Sequence, residues 1–228
     1  MARPRPRNLA ARTPDDSLED FFARLPALLG RMVSPSERVA FERYAELLLV
    51  WNRTHHLTAA KTRGAIGQGL FLDSLLFRSL LPPSPARIAD VGAGAGIPGV
   101  PLRIVDPRIR LTMIDSRRKP VSFLHALTRE LGLSDVDVQH GRVEELAEHA
   151  ASMCGAFDVV LTRSVRLEPG LLEASMQLLK PHGTFVASGP PPNQPAPEIR
   201  WSGMASWKII PFDSLGIERR FFIATLRA

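Results

Sequence analysis

Cysteine is almost missing: the 228 residues include one, Cys154. A single thiol excludes an internal disulfide and a Cys-rich zinc site, and it fits a reducing, cytoplasmic setting. Long apolar runs are also missing. None approaches the roughly 18 residues needed to span a bilayer, so no membrane partner is expected. The opening stretch, "MARPRPRNLAARTP", has no acidic residue and no apolar run of the secretory kind. Its arginines resemble those of a transit peptide, but its prolines oppose an amphipathic helix. Residues 1–17 are therefore read as a disordered basic tail. No internal repeat is visible. His55 and His56 are adjacent and cannot act as i, i+4 ligands on one helical face, so no metal is expected and both are read as surface or loop residues.

What is present describes a globular chain. Hydrophobic residues make up 45% and charged residues 23%, enough for a real core. At roughly 150 residues per domain, the length suits one domain or one with an appendage, and a monomer is favoured. The net charge of +6 favours a polyanionic partner, because each phosphate contact releases counterions. Part of that surplus lies in the tail, at Arg3, Arg5, Arg7 and Arg12, where solubility alone would explain it.

Two textures follow one another. From 18 to 85 the pattern is helical. "SPSE" predicts a helix start, with Ser34 as N-cap, Pro35 in the first turn and Glu37 closing a capping box. Phe41, Tyr44, Leu48 and Trp51 then recur at helical spacing, with Trp51 read as a core anchor in preference to a base-stacking platform. A second helix is expected over 64–80, ending before Pro82-Pro83. From 86 to 228 short apolar strands alternate with helices. "ARIADVG", "RLTMIDS", "DVDVQHG", "FDVVLTR" and "TFVAS" are the strands. Helices are expected from near Pro98, from Arg118 to a stop at Gly132, over "RVEELAEHA", and up to "LLKPHG". That alternation implies an α/β fold, a doubly wound, mostly parallel sheet of the Rossmann type. A proline-rich loop, "GPPPNQPAPEI", interrupts it, and "SWKIIPF" with "RRFFIATLR" predict an antiparallel pair at the sheet edge.

The stretch "DVGAGAGIPG" carries the functional signal. A strand, a glycine loop and a helix start turn backbone N–H groups and a helix dipole toward a ligand. Gly94, Gly96 and Gly99 satisfy the dinucleotide fingerprint G-x-G-x-x-G, and this reading stays open alongside glycines used only for packing. The longer pattern D-x-G-x-G-x-G, from Asp90 through Gly92, Gly94 and Gly96, suits a ligand with an amino-acid end and a nucleoside end. Asp90 would repel a pyrophosphate but can approach an ammonium or sulfonium cation. Asp115, ending the next strand, can accept both ribose hydroxyls of either cofactor. The leading helical segment, "LLKPHGTFVA" and the terminal strand pair resemble S-adenosylmethionine (AdoMet) methyltransferases of class I. Two chemistries are disfavoured: no D/N-P-P-Y/F stretch follows the fourth strand, where "TRSVR" stands, and Cys154 lies before that strand as a core or loop thiol, away from the place of a cytosine C5 nucleophile.

Over residues 35–190 the chain resembles one family more closely, the bacterial small-subunit ribosomal RNA guanine-N7 methyltransferases, also called the glucose-inhibited division protein B family. The resemblance rests on "LLLVWNRTHHLT", "LDSLL", "DVGAGAGIPGVPL", "IDSRRKPVSFL", "GRVEEL" and "FDVVLTRS". It implies AdoMet as cofactor and 16S ribosomal RNA or the small ribosomal subunit as partner. It also implies that Gly92 and Ile97 line the cofactor site, that Val143 and Glu144 border the adenine, and that Arg163 stands beside the methyl group as the catalytic, acceptor-positioning residue. Lys119 matches a basic position of the family, and with Arg117 and Arg118 forms a candidate RNA contact or a solvated helix start. For Arg163 the structural alternative is an ion pair, with Glu144 or Asp158 as examples. The chain departs from the family pattern at His56, Leu70, Ser164 and Ser188 or Gly189, all toward the RNA side. Other readings stay open: a same-fold enzyme acting on another RNA or a small molecule, and a non-catalytic AdoMet-binding module for ribosome assembly.

Overall fold

The computed structural model describes residues 16–83, 86–163, 167–199 and 204–226. Most of the expected basic tail, residues 1–15, and Ser164 lie outside the described residues.

Helix α1 (Glu19–Leu29) ends at Gly30, whose φ of 69° is a left-handed cap. Helix α2 (Pro35–His55) starts with the expected capping box: Ser34 Oγ accepts from the Glu37 N–H, and the Glu37 carboxylate accepts from the Ser34 N–H. Phe41, Tyr44 and Leu48 are fully buried along one face, as their spacing implies. Each such burial stabilises by about 1.5–3 kcal/mol. The helix expected over 64–80 is there but not uniform. It runs as α3 (Arg63–Ile66), a π-helical stretch (Gly67–Leu72), α4 (Asp73–Leu75) and a 3-10 turn (Leu76–Leu80). The sequence gives a reason for the tight approach at Gly67: a Cβ there would sit 2.9 Å from Leu18 and Phe21. Phe21, Phe41 and Phe71 stack edge-on or tilted with centroids 4.9–5.6 Å apart, locking the three helical pieces together.

The sheet has seven strands in the order β3-β2-β1-β4-β5-β7-β6. They are β1 (Arg87–Val91), β2 (Arg110–Asp115), β3 (Val136–His140), β4 (Phe157–Thr162), β5 (Leu179–Ser188), β6 (Met204–Phe212) and β7 (Ile217–Thr225). The first five are parallel; β7 pairs antiparallel with both β5 and β6, giving the expected terminal pair. Helices α5 (Gly99–Val105), α6 (Arg118–Glu130), α7 (Val143–His149) and α8 (Pro169–Gln177) form the crossovers. Gly132, at φ +59°, follows α6 as its sequence position predicts.

The fifth strand starts earlier than "TFVAS" implies, while the preceding helix runs up to "LLKPHG" as expected. The helix ends at Gln177, and β5 already begins at Leu179. The strand is irregular there, with a register shift opposite Phe157 and Val159 and with His182 at φ +64°.

The leading helices do not form a separate body. One continuous apolar core runs from Leu18 through Phe77 into β1, β2, α5 and α6. The division at residues 85 and 86 is thus a proposed boundary of chain texture, crossed by a shared core. The strand order reverses between β2-β1 and β4, which opens a crevice at the carboxyl ends of these strands.

Candidate active site

A cleft of about 790 Å³ lies at that crevice. Its floor is Val91 and the loop after β1, including Gly92, Gly94 and Ile97. One wall is the end of β2, Ile114 to Arg117. Another is Gly141 to Glu144, after β3. Arg163, following β4, and Leu70, from the π-helical stretch, close the opposite side. The structure therefore brings Gly92, Gly94, Ile97, Asp115, Val143, Glu144 and Arg163 to one place, across 72 positions of chain from Gly92 to Arg163.

Gly92, Gly94 and Gly96 have φ values of 72°, 57° and 81°, which is why side chains other than glycine's are strained there. The glycines then part company. Gly92 and Gly94 face the cleft. Gly96 does not: a Cβ on it would lie 2.8 Å from the Tyr44 hydroxyl and 3.0 Å from Val100. Its smallness serves the packing of α2 against the loop.

The two aspartates also differ. Asp115 lies at the cleft surface with all its oxygens engaged. Its Oδ2 accepts from the Gly94 N–H at 2.9 Å, and its Oδ1 accepts from the Arg117 N–H at 2.9 Å. The Arg117 guanidinium completes the set with bonds of 3.1 and 3.2 Å. The Arg117 side chain is 68% exposed, so its two bonds are the exchangeable ones. Two vicinal hydroxyls can take their place on a carboxylate still held by two backbone N–H groups.

Asp90, by contrast, is wholly buried beneath the loop and does not line the cleft. Its Oδ2 accepts from the Gly99 N–H at 2.8 Å; Oδ1 has no hydrogen-bond partner. Burial pushes its carboxyl up to about 7, against the pull of the Gly99 N–H. Asp90 thus meets the loop backbone from below, whereas the sequence expectation set it beside a ligand cation. Its side chain turns inward to fasten the start of α5, where a Cβ on Gly99 would come within 2.8 Å of it.

Arg163 is anchored, and not by either partner considered from sequence. Glu144 pairs with Arg142 and Asp158 with Lys180. Arg163 donates from Nε to Asp73 Oδ2 at 2.9 Å and from Nη2 to the Gly69 carbonyl at 2.8 Å. Arg118 and Lys119 project into solvent at the start of α6, beside the cleft wall.

Several functional supports were missed in the sequence. Asn52 Nδ2 donates to the carbonyls of Thr58 and Ala60, and its Oδ1 accepts from the Thr58 N–H, which pins the Leu57–Ala59 rim of the cleft. The "WN" in "LLLVWNRTHHLT" was the available signal. Glu168 and Leu171, before and within α8, also line the cleft and had no sequence mark. Trp51 packs edge-on to Phe123 at 5.6 Å, in line with the anchor reading. His55 stacks on Trp51 at 5.1 Å and is not a free loop residue, while His56 is the exposed left-handed cap of α2. Cys154 is exposed and donates to the Ala147 carbonyl. Of the family departures, Leu70 lines the cleft, whereas Ser188 ends β5 and Gly189 packs under Trp207.

Comparison with known proteins adds the family. The family described as rRNA small subunit methyltransferase G (GidB) matches residues 37–189. A protein named ribosomal RNA small subunit methyltransferase G from Lactococcus lactis subsp. lactis (strain IL1403) is 39% identical over 64% of this chain and 62% of its own length. One of the same name from Geobacillus kaustophilus (strain HTA426) is 40% identical over 69% of this chain and 66% of its own. The chain therefore spans just under two thirds of the length of these two relatives. Among solved structures, a SAM dependent methyltransferase from Aquifex aeolicus aligns with a TM-score of 0.50 at 14% identity, covering 66% of this chain and 87% of that one, a likeness of fold.

Proposed function

Because the chain belongs to the rRNA small subunit methyltransferase G family, we propose that it transfers a methyl group from AdoMet to N7 of a guanine in 16S ribosomal RNA. The observation that carries the reading is the cleft itself, with glycine backbone, an exchangeable Asp115 site and Arg163 around one space.

The cofactor fits this cleft. Asp115 would hold the ribose, with the Arg117 fork displaced to solvent. Val143, an apolar surface, and Glu144, an acceptor, would border the adenine. Gly92, Gly94 and Ile97 would lie along the amino-acid end, with Asp90 and Gly96 shaping the loop from behind. AdoMet supplies an electrophilic methyl on a cationic sulfur. Guanine N7 presents a lone pair and no proton. As the new N–C bond forms the C–S bond breaks, and the positive charge passes from sulfur to the base; no proton has to leave. The chain then needs no general base, only in-line positioning and exclusion of water. Arg163 cannot serve as a base, because a guanidinium offers only N–H donors and no acceptor. It suits the acceptor side, as a bidentate or stacked partner of guanine or phosphate. Arg118 and Lys119, joined by Arg117 once displaced, would meet RNA phosphates at the cleft mouth.

No helix among the described residues is long and apolar enough to cross a membrane, and no cluster of His, Cys, Asp and Glu among them could hold a metal ion. The deciding experiment incubates the protein and labelled AdoMet with small ribosomal subunits and with naked 16S RNA, then maps the methylated base. N7-methylguanine at one position supports the reading. Label in a small molecule or another RNA overturns it, and AdoMet binding without transfer to any RNA would leave a non-catalytic assembly module.

A further inference from the structure

Asp73, the acidic residue of "LDSLL", is the hub of a three-residue network whose other two members its sequence neighbours do not reveal. Its Oδ2 accepts from Arg163 Nε at 2.9 Å, and its Oδ1 from Arg219 Nε at 2.6 Å. The partners lie 90 and 146 positions away. The sheet explains why they converge. In β4, Thr162 is level with Ala187 of β5, and in β7, Phe221 is level with Ser188. Arg163 follows the first of these positions and Arg219 stands two residues before the other, so both emerge at the carboxyl edge of the sheet. Asp73, at the start of α4, meets them there.

Resting on the functional reading above, we propose that Asp73 is a positioning residue that fixes Arg163 and Arg219 as a paired guanidinium clamp for the RNA strand carrying the target guanine, with Arg219 taking a backbone phosphate. Three observations support this. The Asp73 and Arg163 side chains are only 15% and 18% exposed, so their geometry is held, while Arg219 is 42% exposed and reachable by a polyanion. Each guanidinium has five donors, and the bonds found use two on each: Arg163 reaches Asp73 and the Gly69 carbonyl, Arg219 reaches Asp73 and the Glu218 carbonyl. Donors therefore remain on both for a ligand. Finally, two cations on one anion leave a net charge of +1. That is enough to draw a phosphate, yet the carboxylate offsets the guanidinium nearest the base at the moment positive charge arrives on N7.

Charge and position make opposite predictions for Asp73→Asn. If the arginines act only by charge, neutralising Asp73 raises the net positive charge, and turnover holds or rises. If Asp73 positions them, kcat falls at least roughly tenfold while the KM for RNA stays level or drops. The test measures kcat and KM on small ribosomal subunits, AdoMet affinity by calorimetry and thermal stability for wild type, Asp73→Asn and Arg219→Ala. AdoMet affinity is expected to stay within about threefold. Arg219→Ala should lower the salt slope of RNA binding by about one unit. Asp73→Glu keeps the charge but moves the clamp by a methylene. It should keep the wild-type salt slope with a kcat below wild type, and it serves if Asp73→Asn folds poorly. The proposal is overturned by a normal kcat in both Asp73 variants, by a kcat loss matching the unfolded fraction, or by an unchanged slope in Arg219→Ala. A wild type that binds AdoMet and methylates no RNA overturns the functional reading, and this proposal with it; a wild type that methylates RNA while the variants match it overturns the clamp alone.

Discussion

The hydroxyl of Tyr44 donates a hydrogen bond to the carbonyl oxygen of Ala95, the residue between Gly94 and Gly96 of the glycine loop. Tyr44 sits on α2 and both groups are buried, so the leading helices hold the loop from behind. Gly96 makes that contact possible, since any Cβ on it would strike the same hydroxyl.

Tyr44→Phe should leave the Ala95 carbonyl unpaired in the core and cost about 1–3 kcal/mol. For a chain of this size that is a fall of roughly 2–12 °C in melting temperature. AdoMet affinity should fall as well, because the loop loses its brace. Melting curves and calorimetry on the purified variant test both; full stability with full affinity would show the bond idle.

Gly94→Val puts a β-branched residue at a φ of 57°, where L side chains are strained. The nearest atoms to a Cβ lie 3.7 Å away, so the core is not disturbed. The fold should survive with a loss of about 1–2 kcal/mol, and AdoMet binding should fall by at least roughly tenfold, or about 1.4 kcal/mol. If wild-type protein takes NADH and not AdoMet in the calorimeter, the cofactor assignment is wrong.

Lys119 is exposed at the start of α6. If it meets an RNA phosphate, Lys119→Ala should reduce the salt slope of RNA binding by about one unit without changing stability. A slope equal to wild type assigns the residue to a solvated helix start.

Asp90 predicts a pH dependence with a definite sign. Its carboxyl is raised in the folded protein to about 7, from an unfolded value of about 3.9. Between these values the native state binds the extra proton, so the contribution of Asp90 to stability falls as pH rises through that window and levels off above it. Asp90→Asn should flatten the decline between about pH 5 and pH 8, with its largest relative gain at the alkaline end. Denaturant titrations of both proteins across that range measure it; parallel pH profiles would show that Asp90 ionises without penalty.

Arg163→Lys keeps the charge but loses the fork that reaches Asp73 and Gly69 together. AdoMet affinity should stay within about threefold while turnover drops at least roughly tenfold, about 1.4 kcal/mol in the transition state. Single-turnover methylation, normalised to folded protein, is the measure. Normal turnover with a large loss of stability would make Arg163 a strut of the fold.

Much was legible in the sequence wherever a feature is local. The capping box at Ser34 and Glu37, the buried face of α2, the stop at Gly132 and the alternation behind the parallel sheet all depend on residues a few positions apart, and each is present. The extent of β5 was not legible, because "LLKP" has an apolar texture that suits either state and the neighbouring strand decides it.

The site divides along the same line. By itself the sequence determined that a glycine loop with positive φ would follow a strand, that a carboxylate would end the next strand, and hence which fold and family the chain joins. Only the tertiary structure decided which way those groups face. Asp90 and Asp115 look alike in sequence, yet one lies under α5 and the other in the cleft. Gly94 and Gly96 are two residues apart, yet one faces a ligand space and the other faces Tyr44. Asp73 finds its two arginines because strand order, set by packing across the whole sheet, brings β4 and β7 to the same edge. Local spacing encodes backbone conformation; side-chain partners separated by 90 or 146 residues exist only once the core has closed.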